Sequence, residues 1–142
     1  MKNKELVIDL AKKTRYWSEK YAKKNGFKSC LAGMCGIASC VLHQKMLKHG
    51  ITDVKICCNS FHCFLTYDNY IIDITATQFQ EKEKVFIKPI KDFFDTQYYL
   101  SFNWDIHQTF DNYQEFRLYQ ESTGWPRKQL AFSLDEYQEE FF

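Results

Sequence analysis

Apolar positions recur at helical spacing over the first 24 residues. Leu6, Leu10, Trp17 and Tyr21, with Val7 and Ala11, gather on one side, and Lys and Glu fill the other. This predicts an amphipathic helix over residues 3–24, with Asn25-Gly26 as its stop. Residues 27–34 break the pattern and read as a loop. A second stripe of Ala38, Val41, Leu42 and Met46, widened by Ile37 and Leu47, predicts a helix from Met34 or Cys35 to Lys48, closed by His49-Gly50. A helix so largely apolar belongs in the centre of a domain.

The period then changes to two. Val54–Cys57, Phe61–Tyr67 and Tyr70–Thr75 read as strands, with Asp68-Asn69 as a hairpin turn between the last two. That turn fixes a register: Tyr67 faces Tyr70, Thr66 faces Ile71, Phe64 faces Asp73 and His62 faces Thr75. His62, Phe64, Asp73 and Thr75 therefore share one face, taken as the inner one, and Phe61, Leu65, Ile72 and Ile74 share the other. His62 and Asp73 become diagonal neighbours with backbones roughly 7–8 Å apart, a gap that a carboxylate and an imidazole can bridge. From the pattern alone, a catalytic pair and a buried structural pair fit equally.

The rest of the chain is less periodic. Thr77-Gln78-Phe79 closes the third strand, Val85-Phe86-Ile87 reads as another strand, and Pro89 begins a short helix or turn around Lys91–Phe94. Tyr98–Tyr119 is rich in aromatics without a clean period and is not placed. Gly124-Trp125-Pro126 reads as a turn. Residues 128–141 read as a last helix, with Leu130, Leu134, Tyr137 and Phe141 on one face.

Composition narrows the class. A chain of 142 residues with 45% apolar and 18% aromatic content suits one domain, 1–142, with one core, and two Pro and five Gly argue against a disordered or linker-rich chain. A net charge of +1 gives no reason to expect nucleic-acid binding. The charge is uneven: residues 1–28 hold nine Lys/Arg against three acids, and residues 121–142 hold two against five. These read as solvated helix faces first and as an interaction patch second. No apolar run reaches the ~20 residues of a membrane span, and the N-terminus lacks an apolar signal core, so a cytoplasmic location is expected, in its own cell or in a host. There the six cysteines would stay reduced, most of them as small buried apolar residues.

One stretch carries chemistry. Gly33-Met34-Cys35-Gly36 brings a cysteine to the first turn of the apolar helix, where unpaired N–H groups and the positive dipole end favour a thiolate. Gly33 and Gly36 would let a substrate backbone come close, and the Cys35 amide could help hold an oxyanion. A cysteine nucleophile needs a base, and the base needs a group that fixes its tautomer. Cys35, His62 and Asp73 fill these roles in chain order. Gln78 and Trp17 are the candidate side-chain oxyanion donors, although Trp17 also reads simply as core, and Phe64 is a candidate pocket wall.

These segments resemble the transglutaminase-like superfamily of cysteine proteases and acyltransferases, which share a papain-like fold. That family carries a Cys opening a helix that ends Leu-x-x-x-Gly-Ile, then His-Ala-Trp, then Asp-Pro-Thr. Here these read Cys35-Gly36 through Leu47-Lys48-His49-Gly50-Ile51, then His62-Cys63-Phe64, then Asp73-Ile74-Thr75. Phe64 stands for the usual Trp and Ile74 for the usual Pro. The match covers residues 33–79, with the catalytic core at about 30–80. The aromatic part, 81–142, has no counterpart in it and is expected to set the substrate. The resemblance implies an α+β fold: the cysteine helix packs on an antiparallel sheet that carries His and Asp, with further helices at both termini. It implies a thioester acyl-enzyme formed from an amide, with no cofactor. No acidic loop has calcium-ligand spacing.

Other residues compete. Cys40 lies roughly 140° round the helix from Cys35 and reads as core. Cys57, Cys58 and Cys63 beside His62 raise zinc, but their spacing fits no common zinc pattern and strand neighbours point apart, so no metal is expected. His43 and His49 read as outward-facing on the cysteine helix, Cys30 as a loop thiol, and His107 beside Asp105 as a rival catalytic histidine. The expected function is a cysteine hydrolase or acyltransferase acting on protein or peptide amide bonds, as a protease, isopeptidase or glutamine deamidase rather than a crosslinking transglutaminase. The alternatives are a catalytically silent binding protein on the same scaffold and a small-molecule amine acyltransferase. The Lys-, Asn-, Ile- and Phe-rich composition suggests a bacterial or phage source and allows an effector.

Overall fold

A computed structural model describes residues 1–58, 62–79, 83–92 and 108–123. It has an α+β fold in which two N-terminal helices pack on a five-stranded antiparallel sheet, followed by a C-terminal helix. The helices are α1 (Lys4–Asn25), α2 (Cys35–Lys48) and α3 (Tyr113–Thr123). The strands are β1 (Lys55–Cys58), β2 (Cys63–Tyr67), β3 (Tyr70–Asp73), β4 (Phe86–Pro89) and β5 (Gln108–Phe110), in spatial order β4-β3-β2-β1-β5.

Both long helices lie within a residue or so of the spans that their stripes predict. α1 ends in a glycine at φ 77°, and the Phe27 amide reaches back to the Ala22 carbonyl at 2.9 Å, a Schellman ending. Phe27 then packs beside Tyr21, with ring centroids 6.1 Å apart, and under Gly33. Gly33 sits at φ 86°, a backbone conformation that L side chains disfavour. The loop into α2 also turns at Leu31, which is fully buried at φ 66°. A buried leucine in the left-handed region is a strained position held by its surroundings, and it lies four residues before Cys35.

The hairpin register is as the turn predicts. Leu65 pairs with Ile72, Thr66 with Ile71 and Tyr67 with Tyr70. Asp68 and Asn69 both have positive φ, at 49° and 64°, the geometry of a tight type I′ turn. The assignment of faces needs correction. The side toward the helices is that of Leu65, Ile72 and Ile74, which join Ile56, Cys58 and Cys63 in the main core. Phe64 lies on the opposite face, in a second buried cluster with Cys57, Ile71, Ala76 and Phe86. Both faces of the central strands are therefore buried, which alternation alone does not reveal.

Three further differences are local. After β3 the chain tightens into a 3₁₀ turn, Ala76–Gln78, where a continuing strand is expected. β4 includes Pro89, and the chain turns after it with the Asp92 amide on the Pro89 carbonyl at 3.0 Å. The unplaced aromatic stretch supplies β5, antiparallel to β1 with Ile56 opposite Phe110, and most of α3, whose buried Phe116 meets Phe110 edge to face. The expected start of β2 at Phe61, the turn at Gly124-Trp125-Pro126, the helix over 128–141 and His107 lie outside the described residues. Among the described residues no helix is long and apolar enough to cross a membrane.

Candidate functional site

Cys35 opens α2 and is nearly fully buried, with Gly36 buried beside it in the first turn. The helix is docked against β2: Ser39, one turn along, donates to the Cys63 carbonyl at 3.2 Å. Residue 62, which leads into β2, is thereby brought against the helix N-terminus. The His62 imidazole is within hydrogen-bonding reach of the Cys35 thiol.

The other side of the ring is held by a carboxylate. His62 Nε2 lies 2.7 Å from Asp73 Oδ2, and both side chains are fully buried. Asp73 Oδ1 accepts from the Thr75 amide at 2.8 Å and from the Thr75 hydroxyl at 3.2 Å. The amide bond is an Asx turn, the local motif by which an aspartate fixes its own side chain. So one carboxylate oxygen is anchored and the other is aimed at the imidazole. The Asp-Ile-Thr spacing carries this device in the sequence.

Electrostatics follow from the contacts. Burial acts to lower the His62 pKa, but the Asp73 charge, its hydrogen bond and the Cys35 contact outweigh it and raise the value to about 10. With Nε2–H given to Asp73, Nδ1 is the remaining ring nitrogen, an acceptor when the ring is neutral and a donor when it is charged. Gln78 Nε2 lies 3.3 Å from that Nδ1, and is also 3.1 Å from the Thr75 carbonyl and 3.2 Å from the Thr75 hydroxyl. Gln78, expected as an oxyanion donor, thus reaches the site through His62, from the 3₁₀ turn that replaced the expected strand.

The ring's faces are also packed. Phe64 stacks on it with centroids 6.1 Å apart at 20°, and Phe79 meets it edge to face at 4.7 Å and 82°. Phe64, the candidate pocket wall, is thus in contact with the imidazole. Phe79 is an addition that the sequence pattern does not signal, since its approach depends on the 3₁₀ turn. Trp17 is buried in α1 and stacks on Tyr21 at 5.4 Å and 27°, a core position.

The rival residues fall elsewhere. His43, expected to face outward, is fully buried with Nε2 3.1 Å from the Val54 carbonyl, and burial pushes its pKa down despite hydrogen bonding to the backbone. His49 is exposed and bonds the Lys45 carbonyl at 2.9 Å. None of the six cysteines is in a disulfide. Burial pushes Cys57 up to about 11 and Cys58 up to about 12, and Cys40 and Cys63 well above the ordinary thiol value. Such thiols are inert. Cys57 points to one face of the sheet, while Cys58 and Cys63 point to the other. Among the described residues no three His, Cys, Asp or Glu side chains converge as a metal ion would require.

A thiol at a helix N-terminus beside an imidazole, itself fixed by a carboxylate, is an arrangement suited to nucleophilic attack on a carbonyl carbon. No family model matches the chain, and no curated protein or solved structure matches it.

Proposed function

We propose that the protein is a cysteine hydrolase or acyltransferase of transglutaminase-like type, acting on amide bonds of a protein or peptide. The observation that carries this reading is the position of His62, with its Nε2 2.7 Å from Asp73 and its ring in hydrogen-bonding contact with Cys35. In this mechanism the thiol proton rests on His62 and the Cys35 sulfur attacks the amide carbonyl. The imidazolium then protonates the leaving amine, and a thioester remains. Water returns the thioester to acid, giving proteolysis or deamidation, and an amine would instead give transfer. Asp73 holds the imidazole in the productive tautomer and stabilises its charged form. The Cys35 amide, at the start of α2, is the backbone donor for the oxyanion.

The first experiment is brief iodoacetamide treatment at pH 6, read by intact-protein mass. An unactivated thiol is almost wholly protonated there and reacts slowly. One fast adduct is expected, absent in Cys35→Ala and at least about tenfold slower in His62→Ala. The lack of a fast adduct in the wild type, or a fast adduct that persists in Cys35→Ala, removes Cys35 as the nucleophile. A second reading, a silent binding protein, draws on the burial of the site: His62 is 0% and Cys35 3% exposed. It expects no fast adduct.

A further inference from the structure

Beside this site, α1 and the loop before α2 border a cavity of about 580 Å³, lined by Arg15, Glu19, Lys23, Phe27, Thr77 and Lys84 among others. That is within the size range of small-ligand pockets. Its connection to the candidate site is covalent and short. Thr77 is the neighbour of Gln78, whose amide meets His62 Nδ1 at 3.3 Å. Cys30, another lining residue, accepts a hydrogen bond from Thr77 at its carbonyl at 3.0 Å and lies on the loop that leads to Cys35.

The lining is unbalanced in charge. Arg15, Lys23 and Lys84 face one acid, Glu19. Glu19 is already engaged, since its Oε1 accepts from Arg15 Nε at 2.9 Å and from Lys84 Nζ at 3.1 Å. Arg15 is the anchor. It is 4% exposed, and its Nη1 donates to the Ile74 carbonyl at 2.9 Å and to Thr77 Oγ1 at 2.8 Å. Its guanidinium is therefore fixed in orientation, and among the described residues nothing accepts from Nη2. A rigid arginine fork with spare donors, flanked by two ammonium groups and an apolar wall of Ala22 and Phe27, is suited to a carboxylate on a short side chain or chain end.

We propose that this cavity holds a carboxylate of the substrate, on an Asp or Glu side chain or at a chain terminus close to the attacked amide, against Arg15, Lys23 and Lys84. The proposal rests on the reading of Cys35 as an amide-attacking nucleophile, and it gives that enzyme a substrate class: acidic peptides.

Cys30 supplies a reporter, because it lines the cavity and is partly exposed while Cys40, Cys57, Cys58 and Cys63 are fully buried. In Cys35→Ala protein, iodoacetamide at pH 8 should label Cys30 alone, and a ligand in the cavity should slow that labelling. The probes are acetyl-Gly-Glu-Gly-Gln-Gly-amide, the same peptide with Gln or Lys in place of Glu, and acetyl-Gly-Gly-Gly-Gln-Gly with a free terminal carboxylate. The Glu peptide should protect at about tenfold lower concentration than the Gln peptide, as expected for one hydrogen-bonded charge, and the Lys peptide should not protect. The free-acid peptide tells a side-chain source from a terminal one. Lys23→Glu with Lys84→Glu, checked for folding by its melting temperature, should abolish the preference for Glu. Protection by neither the Glu peptide nor the free-acid peptide beyond that of the Gln peptide, or a carboxylate preference unchanged in the charge-reversed protein, would overturn the proposal. If Glu-selective protection holds while Cys35 fails its reactivity test at pH 6, the enzyme reading falls and the carboxylate site stands.

Discussion

His62 meets two opposing demands. Burial disfavours its charged form, and Asp73 and Cys35 favour it strongly enough to raise its pKa to about 10. A folded-state value above the unfolded value of about 6.5 means that the favourable contribution is fully present below about pH 6.5. It is lost as the pH rises toward 10. Urea unfolding should therefore show stability falling between pH 6.5 and 7.5 in the wild type. The fall should be absent in the double variant His62→Gln, Asp73→Asn, which removes both charges. From about pH 7.5 upward the buried thiols add a loss of the same sign, because Cys57 and Cys58 stay neutral in the fold while unfolded thiols ionise. The lower window thus isolates the histidine. A parallel fall in both proteins would mean that His62 holds no extra proton.

At the scale of elements, the hairpin shows what was legible and why. Alternating apolar residues on both sides of Asp68-Asn69 admit one register, and that register alone brings His62 and Asp73 together. The start of α2 was equally legible, because the apolar stripe begins just after Gly33. What failed was whatever depended on distant pairing. β5 is three residues long and exists because Ile56 and Phe110 meet, so nothing local announces it. The inward turn of His43 depends on the Val54 carbonyl waiting there. Phe79 and the Gln78–His62 contact depend on the 3₁₀ turn after Asp73, which a strand pattern hides. The turn itself can be tested. Asn69 adopts φ 64°, so Asn69→Gly should raise the urea midpoint by about 0.5 kcal/mol of stability, and Asn69→Val should cost about 1–2 kcal/mol. Asp68 should stay in place in both variants, where it accepts from the Lys2 amide at 2.7 Å.

For the molecule as a whole, α1 joins the core to the site. Trp17 and Tyr21 fill the space against α2, while Arg15, two residues from Trp17, grips the Ile74 carbonyl and Thr77 beside the 3₁₀ turn. Trp17→Ala should cost about 3–5 kcal/mol in urea unfolding, the range for removing a large buried aromatic. Trp17→Phe should keep the rate of Cys35 alkylation, as a core residue would, and a slowed rate would instead place the indole at the chemistry. One feature of the layout bears on how the protein comes to be folded. Cys35, His62 and Asp73 all fall between positions 35 and 73, on a helix and a hairpin that follow one another along the chain. Contacts between near neighbours in sequence close small loops at low entropic cost and form early. The site is thus assembled by short loop closures, from His62 to Asp73 across one hairpin and from α2 to the strand that carries Cys63.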